Sequence, residues 1–383
     1  MAANLQPSRR QQTLELLRFP LAVAVLTIHI WNQNALNMQG QLVEPHHIPL
    51  FREINIFIDS FLRHQCVPIY FFISGFVFFL GVDWNRETYF RKLKNRVRTL
   101  LIPYLIWNTA AIAILTIKYL PFLECFRTNY SDFHFSFKAL LSCFWNYTDG
   151  FYPTLPEQRD PFAMTGGIWP INIPLWFLRD LMIVVAATPL LYRLLKSREG
   201  KYTVATLGAV WFVSGYWNLW HVNQLLCAFF FFSWGAYLSI RKKDMQTEFA
   251  RYFRLSMWAY PLLGLLYVGA VHWYPEAALT INRLNILAGL LFAYNAASWL
   301  LEHNICRPNP FLAASSFFIY VTHYMIHSRL RRIISVLLRP ESDMGFVAVY
   351  TLTTILVVGL LLGLFLLMKR YTPQFLKIAI GRQ

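Results

Sequence analysis

Charge is scarce in this 383-residue chain: Asp, Glu, Lys and Arg together make up 14% of it. A soluble domain carries about 25% charged residues. With 56% hydrophobic and 17% aromatic residues, this chain could not keep its apolar surface out of water. Acid is scarcer still, with 19 Asp and Glu against 35 Lys and Arg, for a net charge of +16. The five cysteines follow no metal-ligand or redox spacing, so no metal is expected. Neither a metal-binding helix motif nor a nucleotide-binding glycine loop occurs. Gly/Ser linkers, low-complexity tails and internal repeats are missing too. What remains in abundance is the long apolar run. The fold class expected is therefore all-α, a polytopic membrane helix bundle without a soluble domain, forming one domain over residues 1–383.

Runs long enough to cross a bilayer need roughly 17–25 apolar residues. About ten are expected, near 14–35, 56–81, 99–120, 172–193, 203–219, 224–240, 255–273, 282–301, 311–328 and 344–368. Lys and Arg between these runs collect on the side of the N-terminus, which predicts two cytosolic termini in a multi-pass protein of the cell inner (plasma) membrane. The net charge then reads as topology and contact with anionic membrane lipids, and not as nucleic-acid binding. The first apolar run lacks a small-residue cleavage site and is expected to stay as a helix. The stretch 118–172 is a long extracytoplasmic loop. Its sequons at Asn129 and Asn146 matter only in a secretory pathway, and Cys125 and Cys143 could pair there in an oxidising compartment. Its aromatic residues Trp145, Tyr147, Phe151, Tyr152 and Trp169 suit sugar rings, and equally suit a belt at the headgroup level.

Ionisable residues inside such runs cost roughly 2.5–3.5 kcal/mol at the bilayer centre on insertion scales and usually face the bundle interior. The first run, "LELLRFPLAVAVLTIHIW", carries Glu15, Arg18 and His29. Arg18 and His29 stand roughly 16 Å apart along a helix at ~1.5 Å per residue, with similar facing. Arg18 fits an interfacial anchor paired with Glu15. His29 fits either an interhelical hydrogen bond or a proton acceptor for a hydroxyl nucleophile. "VPIYFFISGF" places Pro68 inside a span, as a kink, two turns before Ser74 and Gly75. "YFRKLKNRVRTLLIPY" sets Arg91, Lys92, Lys94, Arg96 and Arg98 at a cytosolic helix start, where they serve either topology or a polyanionic phosphate ligand. "SSFFIYVTHYMIH" buries a second histidine, His323.

These four stretches together resemble the integral-membrane O-acyltransferase family called acyltransferase-3. The chain is similar to that family in an Arg followed by ten residues and a His, here Arg18 and His29. It also resembles it in Ser74-Gly75-Phe76, in the basic stretch from Arg91 to Pro103, and in the late pattern Ser316, Tyr320, His323. The family's two arginines three apart become Arg91 and Lys94 here. Many members carry a fused hydrolase-like domain, which is not expected after the last helix of this chain. The resemblance implies transfer of an acyl group, most often acetyl, from cytosolic acyl-coenzyme A (acetyl-CoA) to a hydroxyl of an envelope glycan or lipid-linked sugar. Under that implication His29 is the general base, with Arg18, His323 and Ser74 in the catalytic group. Arg91, Lys92, Lys94, Arg96 and Arg98 hold the coenzyme phosphates.

Two further stretches are candidates for the acceptor. "PLWFLRDLMIV" brings Trp176, Arg179 and Asp180 into the fourth span; adjacent helix positions point apart, so Arg179 and Asp180 are expected to seek partners on other elements. Tyr320 joins them as a candidate acceptor contact. Arg329, Arg331, Arg332 and Arg339 follow the ninth span on the side where Lys and Arg should be scarce. Leu330, Ile333, Ile334 and Leu337 keep helical spacing until Pro340, so an amphipathic extension in the headgroups and an acidic-acceptor site both remain open. A transporter or flippase for an envelope lipid or glycan is the alternative function, although no paired broken helices in two related halves are seen. A homo-oligomer fits any of these readings.

Overall fold

The computed structural model describes residues 8–31, 35, 43–118, 131–153, 168–217 and 219–382. Cys125 and Asn129 lie outside the described residues; Cys143 is buried and free. In chain order the helices are α1 (Arg9–Trp31), α2 (Pro49–Ile58), α3 (Cys66–Phe79), α4 (Arg86–Arg96), α5 (Ile102–Lys118), α6 (Phe137–Ser142), α7 (Trp176–Ala186) and α8 (Thr188–Lys196). They continue as α9 (Gly200–Ser214), α10 (Trp220–Ile240), α11 (Met245–Ala250), α12 (Phe253–Trp273), α13 (Pro275–Glu302), α14 (Pro310–Leu338), α15 (Asp343–Tyr371) and α16 (Pro373–Ala379). One short antiparallel ribbon joins β1 (Ser131–Phe133) to β2 (Phe151–Pro153), with Asp132 opposite Tyr152. The protein is an all-α membrane helix bundle.

Among the described residues seven helical segments are long and apolar enough to cross a membrane, and eight if α7 and α8, bent by 61° at their junction, count as one span. The ten expected spans all fall on helices, but two of them miss this standard. Residues 203–219 fall on α9, only 15 residues long. Residues 311–328 fall on α14, where Ser315, Ser316, Thr322, His323 and His327 dilute the apolar run.

Contacts divide the chain into two compact units, residues 1–80 with 234–367, and residues 81–233 with 368–383. In the first, α1 lies along α14 and α13, while α12 and α13 pack side by side. Backbone approach is closest at Gly235 of α10, where a Cβ would collide with the Phe72 carbonyl of α3. Local chemistry sets the ends of α14. Asn309 caps its start by accepting from the N–H groups of Phe311 (2.9 Å) and Leu312 (3.2 Å), with Pro310 in the first turn. Arg339, in the left-handed region at φ 46°, and Pro340 end it. In the second unit α5 carries α16, where Trp107 Nε1 donates to the Ala379 carbonyl at 2.8 Å.

Pro68 lies inside one candidate span, Pro49–Phe79, whose regular helix is interrupted just ahead of it. Helix α2 stops at Ile58, a wider π-type turn covers Asp59–Arg63, and α3 begins at Cys66. Pro68 therefore sits in the first turn of α3, where a missing N–H costs nothing, and the irregular backbone lies just ahead of it.

Helix α15 shows how the solvent is shared. Its inward stripe, Phe346, Val349, Tyr350, Thr353, Val357, Leu361 and Phe365, recurs every three or four residues, while Leu356, Leu360, Leu366 and Leu367 face outward. Exposed leucine is stable there only because lipid surrounds it. Phe365 packs on Phe311 and Phe318 with ring centroids 5.8 and 5.7 Å away. Phe365→Ala should cost about 3–5 kcal/mol and lower the melting temperature in detergent, while Leu366→Ala should leave it nearly unchanged. Equal melting of the two variants would contradict the inward stripe.

Candidate active site

Two helices far apart in sequence build the candidate site. His29 closes the last turn of α1, and His323 sits midway along α14, which packs against α1. Their imidazole centroids are 5.3 Å apart, tilted by 44°. His323 is fully buried, whereas His29 is half-buried. The ring of Tyr324 stands edge-on to His29 at 5.6 Å.

Backbone carbonyls decide the tautomer of His323. Its Nδ1 faces the carbonyl oxygens of Ile319 (3.1 Å) and Tyr320 (2.8 Å), which only accept, so Nδ1 carries the hydrogen. Nε2 of a neutral ring is then a lone-pair acceptor, and it is buried without a partner among the described residues. His327, one turn on, repeats the arrangement. Its Nδ1 donates to the His323 carbonyl at 3.2 Å, its Nε2 is likewise unpartnered, and its ring lies 6.4 Å from that of His323. The sequence reading passed over His327. Its spacing of four from His323 was the available signal, and it becomes informative only once α14 is known to run on to Leu338.

No described hydrogen bond or ion pair joins the other expected catalytic residues, Arg18 and Ser74, to the histidines. Arg18 has an exposed side chain, makes no ion pair with Glu15 among the described residues, and offers its carbonyl to the Tyr70 hydroxyl at 3.2 Å. The expected Glu15–Arg18 pair is thus absent; Arg18 faces outward while Glu15 is half-buried. Ser74 is half-buried on α3, and no described hydrogen bond joins it to either histidine. Ser316 turns its hydroxyl back to the Leu312 carbonyl at 2.8 Å. Tyr320 is buried, 6.4 Å from His323 between ring centroids.

The basic stretch belongs to the second unit. Asn85 caps α4 by accepting from the Thr88 N–H at 2.8 Å, which starts the helix that displays Arg91, Lys92, Lys94 and Arg96. Arg98 follows in a π-type turn (Val97–Leu101) that leads into α5. Arg91, Lys94 and Arg98 are exposed and meet no carboxylate among the described residues.

Arg179 and Asp180 do pair with each other, contrary to the expectation from helix geometry. Arg179 Nε reaches Asp180 Oδ1 at 2.9 Å, and both are buried. A guanidinium on three methylenes is long enough to curl back where an adjacent short side chain could not. Its Nη1 also donates to the carbonyls of Trp145 (3.2 Å) and Ile168 (2.9 Å), and its Cζ lies 4.8 Å from the Trp145 ring centre. The pair staples the loop ahead of α7. Trp176, half-buried, opens α7 against Trp169, 6.1 Å away. Asn108 and Tyr104 of α5 hold the same loop, at the Asn172 N–H (3.2 Å) and the Phe144 carbonyl respectively.

The arginines after the ninth expected span separate. Helix α14 continues through them, as the amphipathic extension requires, and Arg329, Arg332 and Arg339 are exposed. Arg331 is buried. It approaches the Ile30 carbonyl at 3.5 Å and lies 5.2 Å from the centre of the Tyr350 ring, so it is turned into the bundle.

A ring nitrogen left free beside a second imidazole, inside a membrane bundle, is equipment for moving a proton at a sheltered site, as acyl transfer to a hydroxyl demands. Residues 11–366 match the profile of the acyltransferase-3 family, described as an acyltransferase domain. The chain belongs to that family and is a membrane O-acyltransferase. It is 23% identical over 339 residues to the succinoglycan biosynthesis protein ExoH of Rhizobium meliloti (strain 1021), covering 86% of this chain and 82% of that protein. No solved structure matches it.

Asp180→Ala should leave the Arg179 cation buried with carbonyls alone and cost about 3–5 kcal/mol. The expected result is a sharply lower melting temperature, with Michaelis constants of the surviving enzyme unchanged. A raised acceptor constant at unchanged melting would return the pair to the substrate.

Proposed function

We propose that this enzyme moves an acetyl group from cytosolic acetyl-coenzyme A to a hydroxyl of a cell-envelope polysaccharide or its lipid-linked precursor, with His29 as general base. The observation that carries the reading is the half-buried His29 facing the buried His323 at 5.3 Å. His29 takes the proton as the acceptor oxygen attacks the thioester carbonyl. The new C–O bond forms, the C–S bond breaks, and the imidazolium returns its proton to the leaving thiolate. His323, its Nδ1 committed to backbone carbonyls, keeps Nε2 toward proton-accepting duty and steadies the charge on His29. Ser74 contributes to binding the developing oxyanion, and Arg18 lines the cytosolic mouth of the site.

The coenzyme phosphates bind Arg91, Lys92, Lys94, Arg96 and Arg98; exposed guanidinium and ammonium groups that meet no carboxylate support this for Arg91, Lys94 and Arg98. A relative that works in succinoglycan biosynthesis supports a polysaccharide acceptor. The enzyme sits in the inner membrane with both termini cytosolic, as the Lys and Arg bias of the sequence supports.

Purified enzyme in lipid nanodiscs, given labelled acetyl-coenzyme A and candidate envelope glycans, should form a labelled ester. His29→Ala should lower turnover by about 10²–10⁴-fold with unchanged melting; near-normal turnover would remove His29 from the mechanism. Neutralising Arg91, Lys94 and Arg98 together should raise the donor Michaelis constant and flatten its dependence on salt. Wild-type donor affinity in that variant would leave the cluster a topological role only.

A further inference from the structure

A second group of buried polar side chains lies in the first unit, along the irregular turn between α2 and α3. Gln65, at 4% exposure, has both amide atoms buried without a hydrogen bond among the described residues. On α13, Asn285 donates its Nδ2 to the Ser60 carbonyl at 2.8 Å, and its Oδ1 is left without a partner among the described residues. One turn earlier Asn282 is buried with its own Oδ1 unpartnered. Space for the Gln65 amide comes from Gly289, where a Cβ would collide with it. Asn282, Asn285 and Gly289 fall on one face of α13 by their spacing of three and four.

Nothing in lipid would repay such an arrangement. A buried amide atom left without a hydrogen bond is costly, so unmet atoms on three side chains along one seam call for a ligand or water that supplies the missing bonds. On these three side chains the unmet atoms are three carbonyl-type acceptors, of Gln65, Asn282 and Asn285, against one amide donor group, of Gln65. The orientation of Asn285 is fixed by its bond to a carbonyl, turning the Gln65 amide over leaves the tally the same, and turning Asn282 over still leaves the acceptors of Gln65 and Asn285 unmet. A phosphate or a carboxylate brings only acceptors and would leave these oxygens unmet. Hydroxyl groups both donate and accept, and several on one ring match the set.

Several other polar groups around the seam have partners. Asp59 pairs with Arg63, His64 Nδ1 meets the Asp59 carbonyl at 3.1 Å, and His272 meets Glu53 at 2.8 Å. Arg283, between the two asparagines, also has an interaction of its own. The seam adjoins the histidine helix, since α1 packs against both the Asp59–Arg63 turn and α13.

We infer that Gln65, Asn282 and Asn285 form a subsite for an uncharged, hydroxyl-rich sugar ring of the acceptor. This rests on the reading of the enzyme as a glycan acyltransferase, and it adds the chemical class of the ring and the residues that select it. The amides hold ring hydroxyls, and a neighbouring hydroxyl of the same saccharide is thereby presented toward His29.

The test uses the full-length enzyme in nanodiscs, with neutral oligosaccharides as the probe. Two measurements are made on the wild type, Gln65→Met and Asn282→Ala: saccharide binding by intrinsic tryptophan fluorescence, and Michaelis constants for acceptor and acetyl-coenzyme A. Gln65→Met keeps an unbranched side chain of similar length and removes the amide. The inference expects at least tenfold weaker saccharide binding and an acceptor constant raised by the same factor in both variants, with the donor constant unmoved. If the wild type transfers acetyl to sugar and Gln65→Met keeps its acceptor constant while melting at the same or a higher temperature, the seam is only hydrated structure and the inference fails while the glycan reading stands. Saccharide binding that the variants weaken, in an enzyme that transfers no acetyl to any glycan, would instead keep the subsite and overturn the proposed reaction. Wild-type enzyme that binds no neutral saccharide overturns the subsite outright.

Discussion

The hydrogen bond from His323 Nδ1 to the backbone of its own helix is the constraint on which the candidate site depends. In a bilayer the helix satisfies its own backbone, and an imidazole added to it must find partners inside the protein. His323 does so by folding back on the Ile319 and Tyr320 carbonyls. That bond fixes which nitrogen holds the hydrogen and leaves the other as a base. His327 repeats the device one turn later. Packing of α1 on α14 then sets His29 before the first of these rings, so one helix supplies the ordered imidazoles and the other the half-buried one.

Two buried arginines show that an intramembrane charge can serve structure, and that its partners tell the roles apart. Arg179 has a carboxylate, two carbonyls and an indole face. Its capacity is spent on pinning a loop, and its carboxylate partner balances its charge. Arg331 has one distant carbonyl and the face of Tyr350. It ties α14 to the end of α1 and to α15, close to where His29 leaves its helix, so its removal would loosen the platform of the histidine pair.

Irregular backbone recurs where polar groups gather. The π-type turn Asp59–Arg63 separates α2 from α3, and Ser60 within it bonds the Gly264 carbonyl at 2.7 Å while accepting at its own carbonyl from Asn285. A regular helix would keep those backbone groups for itself. Widening the turn releases them to side chains of α12 and α13, and the buried amides follow the same seam.

Much of this was legible along the chain. Long apolar runs are a local pattern, and the helices appear where those runs lie. His29 and His323 stood out because an imidazole in an apolar run is costly wherever the run ends up. Periodicity alone could not show that Arg179 folds back onto Asp180, that Arg331 turns inward while Arg329 and Arg332 do not, or that Pro68 begins a helix after a break. Nor could it pick Gln65, Asn282 and Asn285 from among the chain's ordinary amides. Each of these depends on which surfaces of distant helices meet. A residue's type and its spacing fix the face it occupies on its own helix, but its partner is chosen only when the packed bundle leaves it a neighbour, or leaves it none.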